Sequence, residues 1–262
     1  MFNKQSLPGR ILSQLLVLAA LVAFAIPLVL IVATSLDGGG LGNYLDVLAR
    51  TPFLDFIRNS LVVATVTVVA TTALALLAAF SFETLRPRGT RVLKLVLLSG
   101  LALPVVAVVV PLYALMQQLE LFNTFWAVIL PLTAVSIPFG ILLMGNYIGG
   151  LPPEIYEAAR MDGAGPTRYL VSVLLPLCRP IIAVVALFTF LAAWNEYVLP
   201  LIFLQSTGLQ VATQIPNYFQ GDRLIELPKV FAANILISLP LVALYLLLQR
   251  QFRQGLSGGS VK

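Results

Sequence analysis

Long apolar runs without a single charge leave this chain few ways to fold. Residues 11–34, 59–82, 95–119 and 121–151 contain no Asp, Glu, Lys or Arg. A fifth run, 180–204, is broken only by Glu196, and a sixth covers 230–249. Each holds about 20 residues or more, enough to cross a bilayer as a helix rising about 1.5 Å per residue. Only 10% of the 262 residues are charged, against about 25% in soluble domains. Polar groups this sparse cannot cover the apolar surface, so lipid has to be the solvent. The polar residues fall in short connectors, and the expectation is one all-α membrane domain, 1–262, of six transmembrane helices.

Six crossings put both termini on one side, which sorts the charges. The opposite side holds Arg50, Arg58, Arg223 and Lys229, leaving twelve of the 16 basic residues on the terminal side. The positive-inside rule then makes both termini cytoplasmic. This bias explains the net charge of +5 without a nucleic-acid partner. Lys4 and Arg10 precede a first run longer than a signal core, so it is read as a helix that stays.

The residue types narrow the chemistry. The chain has no histidine, one cysteine, Cys178, and no G-x-x-x-x-G-K-[ST] run. Disulfide frameworks, histidine-based triads, zinc sites and a P-loop are excluded, and any ATP chemistry belongs to a partner. Within the spans, Pro27, Pro104, Pro111, Pro131, Pro138, Pro200 and Pro240 can each kink a helix. Thr67, Thr71, Ala75 and Ala79 fall four apart on one face, and Gly145 and Gly149 repeat that spacing, which suits close helix packing in lipid. Glu196, with Asn195 beside it, is the one ionisable group inside a span, where a carboxylate serves either a pathway or an interhelical hydrogen bond.

The fourth and fifth runs are joined by a connector of about thirty residues, long enough to be functional. Pro152 and Pro153 can start a helix at Glu154 that places Ile155, Ala158, Ala159 and Asp162 at spacings of three and four before Gly163 ends it. Pro166 then opens a second short helix over 167–175. The connector reads as two short helices around a glycine elbow, 152–176.

These residues resemble the cytoplasmic loop of ABC importer permeases, written EAA, three residues, G, nine residues, an aliphatic, any residue, LP. Glu157, Ala158, Ala159, Gly163, Val173, Leu175 and Pro176 fill its fixed positions. The resemblance covers nearly the whole chain and is nearest to the permeases of maltose-type carbohydrate importers. NYLDVLARTPFLDFIRNSLVVA, with Asn43, Tyr44, Asn59 and Ser60, is similar to the lead into that family's second span, WNEYVLPLIFL to its fifth span, and QRQFRQGLSGGSVK to its C-terminus.

The resemblance implies a non-catalytic permease subunit in the bacterial cytoplasmic membrane, moving a sugar by alternating access. Its implied partners are a second permease, a dimer of ATP-binding subunits that hold ATP and Mg, and an extracytoplasmic solute-binding protein. The loop would couple to the ATPase. The tail, 250–262, would bring Gly255, Gly258, Gly259 and Lys262 near it, and Tyr218, Phe219 and Gln220 would face the binding protein. The chain is shorter than the maltose permease, with a compact outside loop near 36–58, so the expectation is a sugar-like solute rather than maltose in particular. Related importers for glycerol phosphate, polyols or polyamines share the loop. An ion-coupled secondary transporter is the alternative mechanism, although it ordinarily needs more intramembrane ionisable groups than Glu196.

Overall fold

The computed structural model describes residues 7–102, 104–221 and 224–257. Among them the chain is helical: α1 (Leu7–Ser35), α2 (Gly42–Arg50), α3 (Phe53–Phe80), α4 (Thr90–Ser99), α5 (Val109–Gln118), α6 (Trp126–Gly149), α7 (Glu154–Met161), α8 (Pro166–Tyr169), α9 (Leu175–Leu177), α10 (Arg179–Trp194), α11 (Val198–Phe203) and α12 (Leu227–Ser257). Two π turns, Ser81–Leu85 and Leu170–Leu174, extend α3 and join α8 to α9. Four stretches are long and apolar enough to cross a membrane: Ser13–Ser35, Phe53–Leu85, Trp126–Gly149 and Leu227–Leu246. Two bent helix pairs bring the count to six if each pair makes one crossing.

The third and fifth runs, which read as continuous spans, are broken. Pro104 is extended (φ −74°, ψ 123°) ahead of α5, and α10 stops at Trp194, three residues before α11. Pro200 stands third in α11, where a missing N–H costs nothing because the first turn has no intrahelical acceptor for it. Pro111 stands third in α5, which follows directly on a 3-10 turn, Val105–Val108. Pro27, Pro131, Pro138 and Pro240 instead lie within continuous helices.

The chain forms two compact units. One comprises Met1–Phe53 and Ile215–Leu239. From Ser13 to Ala33 its α1 is almost wholly exposed, with Phe24 at 80%, and is apolar all round, as a lipid-facing helix is. The turn after α1 is closed by Asn43, whose Nδ2 donates to the Ser35 and Asp37 carbonyls at 2.9 and 3.0 Å. Tyr44 hydrogen-bonds through its hydroxyl to Ser35 Oγ at 2.6 Å. Lys229, near the start of α12, pairs with Asp46 at 2.9 Å and also with Glu226.

The other unit comprises Leu54–Gln214 and Pro240–Lys262. On α3, Thr67, Thr71, Ala75 and Ala79 are fully buried, and Gly140 of α6 packs there so closely that an added Cβ would come within 2.7 Å of Ala75 Cβ. Gly145 and Gly149 do something other than admit a helix backbone. Their Cβ positions lie 3.3 Å from Glu83 Oε1 and Oε2, so they make room for a carboxylate that Lys94 neutralises at 2.5 Å. Toward the far end of this unit, Asn59 donates to the Gly208 and Gln210 carbonyls, and Ser60 Oγ accepts the Ala212 N–H.

Candidate functional site at the loop between α6 and α10

Two prolines set the start of α7: the Pro152 and Pro153 carbonyls accept the N–H groups of Ile155 and Glu157. Its end is a Schellman cap. Gly163 donates to the Arg160 carbonyl at 3.0 Å and Ala164 to the Ala159 carbonyl at 2.9 Å, with Gly163 at φ +76°. Nothing lies within 4 Å of a Cβ built at Gly163. Glycine is therefore required by the left-handed backbone rather than by crowding.

This geometry gives α7 two faces. Ile155, Tyr156 and Ala159 pack on a core built from Phe80, Phe82, Met144, Ile148, Tyr169, Leu174 and Cys178. Glu154, Glu157, Ala158 and Met161 point away from it, with Met161 88% exposed. Among the described residues Glu157 enters no ion pair. The outward face is thus an unpaired carboxylate, a small residue that allows close approach, and a deformable thioether. Met161 was not singled out from sequence, although it falls four residues after Glu157 on the same face.

Gly165 is extended (ψ 168°) and Pro166 begins α8. The chain then passes through the second π turn and α9 and bends by 76° into α10. Val173 is half-buried against the same core, whereas Leu175 and Pro176 are exposed. Tyr147 of α6 fixes the corner by donating to the Leu177 carbonyl at 3.0 Å. A cleft of about 280 Å³ lies beside α7, lined by Glu83, Arg86, Gly149, Tyr156, Glu157 and Tyr169 among others.

The other expected site residues are dispersed. Glu196 Oε1 accepts the Leu199 N–H at 3.0 Å, and the Glu196 carbonyl accepts from Thr213 Oγ1 at 2.8 Å. The side chain therefore caps α11. Asn195 Nδ2 donates to the Leu191 carbonyl of its own helix at 2.9 Å. Tyr218 and Gln220 are exposed, but Phe219 is 2% exposed and presents no surface in this conformation. Partial desolvation of Tyr218, which is 42% exposed, raises its phenol above the usual range. Beyond the expected end at Gln249, α12 continues to Ser257, which places Gly255 in a helix. Gly258, Gly259 and Lys262 lie outside the described residues.

A family model described as "Binding-protein-dependent transport system inner membrane component" matches residues 71–258. The osmoprotective compounds uptake permease protein GgtD of Synechocystis sp. is 34% identical over 224 residues, covering 85% of this chain and 75% of that protein. The diacetylchitobiose uptake system permease protein NgcG of Streptomyces coelicolor is 30% identical over 222 residues, covering 84% and 74%. Among solved structures, a chain of a bacterial ABC transporter involved in the import of the acidic polysaccharide alginate shares the fold. Its TM-score is 0.80 at 21% identity, over 95% of this chain and 99% of that one.

Proposed function

Because the chain belongs to the family of binding-protein-dependent transport system inner membrane components, we propose that it is one of two permease subunits of an ATP-driven importer for a sugar or sugar-like solute. It crosses the membrane six times with both termini cytoplasmic, in line with the bias of basic residues. The loop 152–176 lies on the cytoplasmic side, and the chain itself carries out no bond chemistry. ATP and Mg reside on the partner ATPase dimer, and an extracytoplasmic binding protein delivers the solute. Tyr218 and Gln220 face that protein, and the C-terminal tail approaches the ATPases.

The observation that carries this reading is the two-faced, glycine-capped α7. Glu157, Ala158 and Met161 present a small outward contact for a cleft on the ATPase, while Ala159, Val173 and their neighbours tie α7 to the ends of α3, α6 and α10. Gly163 sets the reversal, and Leu175 and Pro176 shape the corner into α10. Movement of the cleft on ATP binding would swing these helices. The carbohydrate class is supported by the relative named for diacetylchitobiose uptake and by the aromatic, amide-bearing stretch around Tyr218 and Gln220.

The experiment is co-expression with a partner permease, ATPase and binding protein, followed by uptake of a sugar panel into ATP-loaded proteoliposomes. Uptake is expected only with ATP and should be lost in Gly163→Pro although the complex still assembles. Uptake without ATP, or normal uptake by Gly163→Pro, would overturn the reading.

A further inference from the structure

We propose, on the reading that α7 takes its displacement from an ATPase partner, that Tyr169 is the positioning residue that delivers this displacement to α3. Tyr169 stands apart from its surroundings. Thr167 and Arg168 are exposed, yet Tyr169 is 3% exposed.

Its ring meets aromatic rings on both sides. Tyr156 of α7 contacts it edge to face at 4.8 Å and 71°, and Phe80, the last residue of α3, contacts it at 6.1 Å and 32°. The chain of contacts therefore runs from α7 through Tyr156, Tyr169 and Phe80 into α3. Rings are stiff and close-packed, so displacement of one cannot be absorbed by the next as it could by a flexible side chain.

Two features set this route apart from ordinary core packing. Beside it lies the cleft of about 280 Å³, lined by Tyr156, Glu157 and Tyr169 together with Glu83, Thr84 and Arg86 at the turn that follows α3, so the route runs along the wall of a cavity rather than through a filled core. Phe80 and Tyr169 also each immediately precede a π turn, Ser81–Leu85 and Leu170–Leu174. Such turns concentrate at functional sites and interrupt the regular helical ladder. The stack thus joins two places where the backbone is already irregular and can take up a change in angle.

The test uses the assembled complex in a Cys178→Ser background with spin labels at Glu154→Cys on α7 and Leu77→Cys on α3, both exposed positions. Inter-label distances are measured without nucleotide and with ATP plus vanadate. If Tyr169 holds α7 and α3 together, the distance is the same in both states for the parent and for Tyr169→Phe. In Tyr169→Ala it shifts between states or broadens beyond the parent's distribution. A distance that stays equally fixed in Tyr169→Ala overturns the proposal, as does one that changes in the parent.

If Tyr169→Ala does not assemble, Phe80→Leu and Tyr156→Leu each break one end of the stack. A fixed distance in both then overturns it, and a state-dependent shift in either supports it. Failure of the parent to assemble with any ATPase would instead remove the functional reading on which this rests.

Discussion

Glu196 interrupts an otherwise apolar run, and in sequence that position suggests a carboxylate serving either a transport pathway or an interhelical hydrogen bond. In the structure its Oε1 takes the Leu199 N–H, a donor that the start of α11 leaves without an intrahelical acceptor. This role depended on the break at 195–197: Pro200 in WNEYVLPL allowed a kink, but nothing in these eight mostly apolar residues placed the interruption beside Glu196. An amide oxygen can accept the same hydrogen bond. Glu196→Gln is therefore expected to keep transport and thermal stability, while Glu196→Ala loses about 1 kcal/mol, read from thermal unfolding in detergent. Loss of transport in Glu196→Gln with folding unchanged would restore a charge role. Gly163 was legible because its requirement is local: a helix that must stop and reverse needs a left-handed residue. Gly145 and Gly149 were not, because their spacing records only that they are small, and the group they accommodate, Glu83, comes from the end of another helix.

At the scale of elements, the small-residue face of α3 was readable from its four-residue period, whereas its partner, the lone Gly140, carries no such pattern. With an added Cβ only 2.7 Å from Ala75 Cβ, Gly140→Val has to push α3 and α6 apart. It should cost about 1–3 kcal/mol, measurable as a lower unfolding midpoint in detergent. Gly208→Ala, with open space around it, is the control expected to change little. The pairing of α2 with the start of α12 makes a different prediction. A hydrogen bond from Lys229, which outweighs an opposing desolvation and is aided by the nearby Arg50 and Lys229 charges, lowers the Asp46 carboxyl below its ordinary 3.8. A lowered carboxyl stabilises the fold above its unfolded-state value and loses that contribution as pH falls through the native one. Asp46→Asn should accordingly remove a small part of the loss in stability seen on acidification below about pH 4, and match the parent's pH dependence at pH 6–8. Equal acid sensitivity in both proteins would mean that the pair contributes nothing.

For the whole molecule, long uncharged runs were enough to indicate a multi-pass helical membrane protein, because no other solvent accepts them. They did not reveal that the third run bends at Pro104 or that α10 stops at Trp194 short of α11, since hydropathy is blind to where a backbone turns. The loop between α6 and α10 was legible in its caps and its glycine. Its inward anchor was not: Tyr169 is separated in sequence from Phe80 by both halves of the broken third run, all of α6 and α7. The proposed function then rests on one surface, the outward face of α7. The direct measurement is photo-cross-linking from a benzophenone maleimide placed on Ala158→Cys in a Cys178→Ser background, within the assembled complex. The account predicts a cross-link to the ATPase subunit from position 158 and none from a control cysteine at the lipid-exposed Phe24. An intact, ATP-hydrolysing complex in which position 158 captures no ATPase would contradict it.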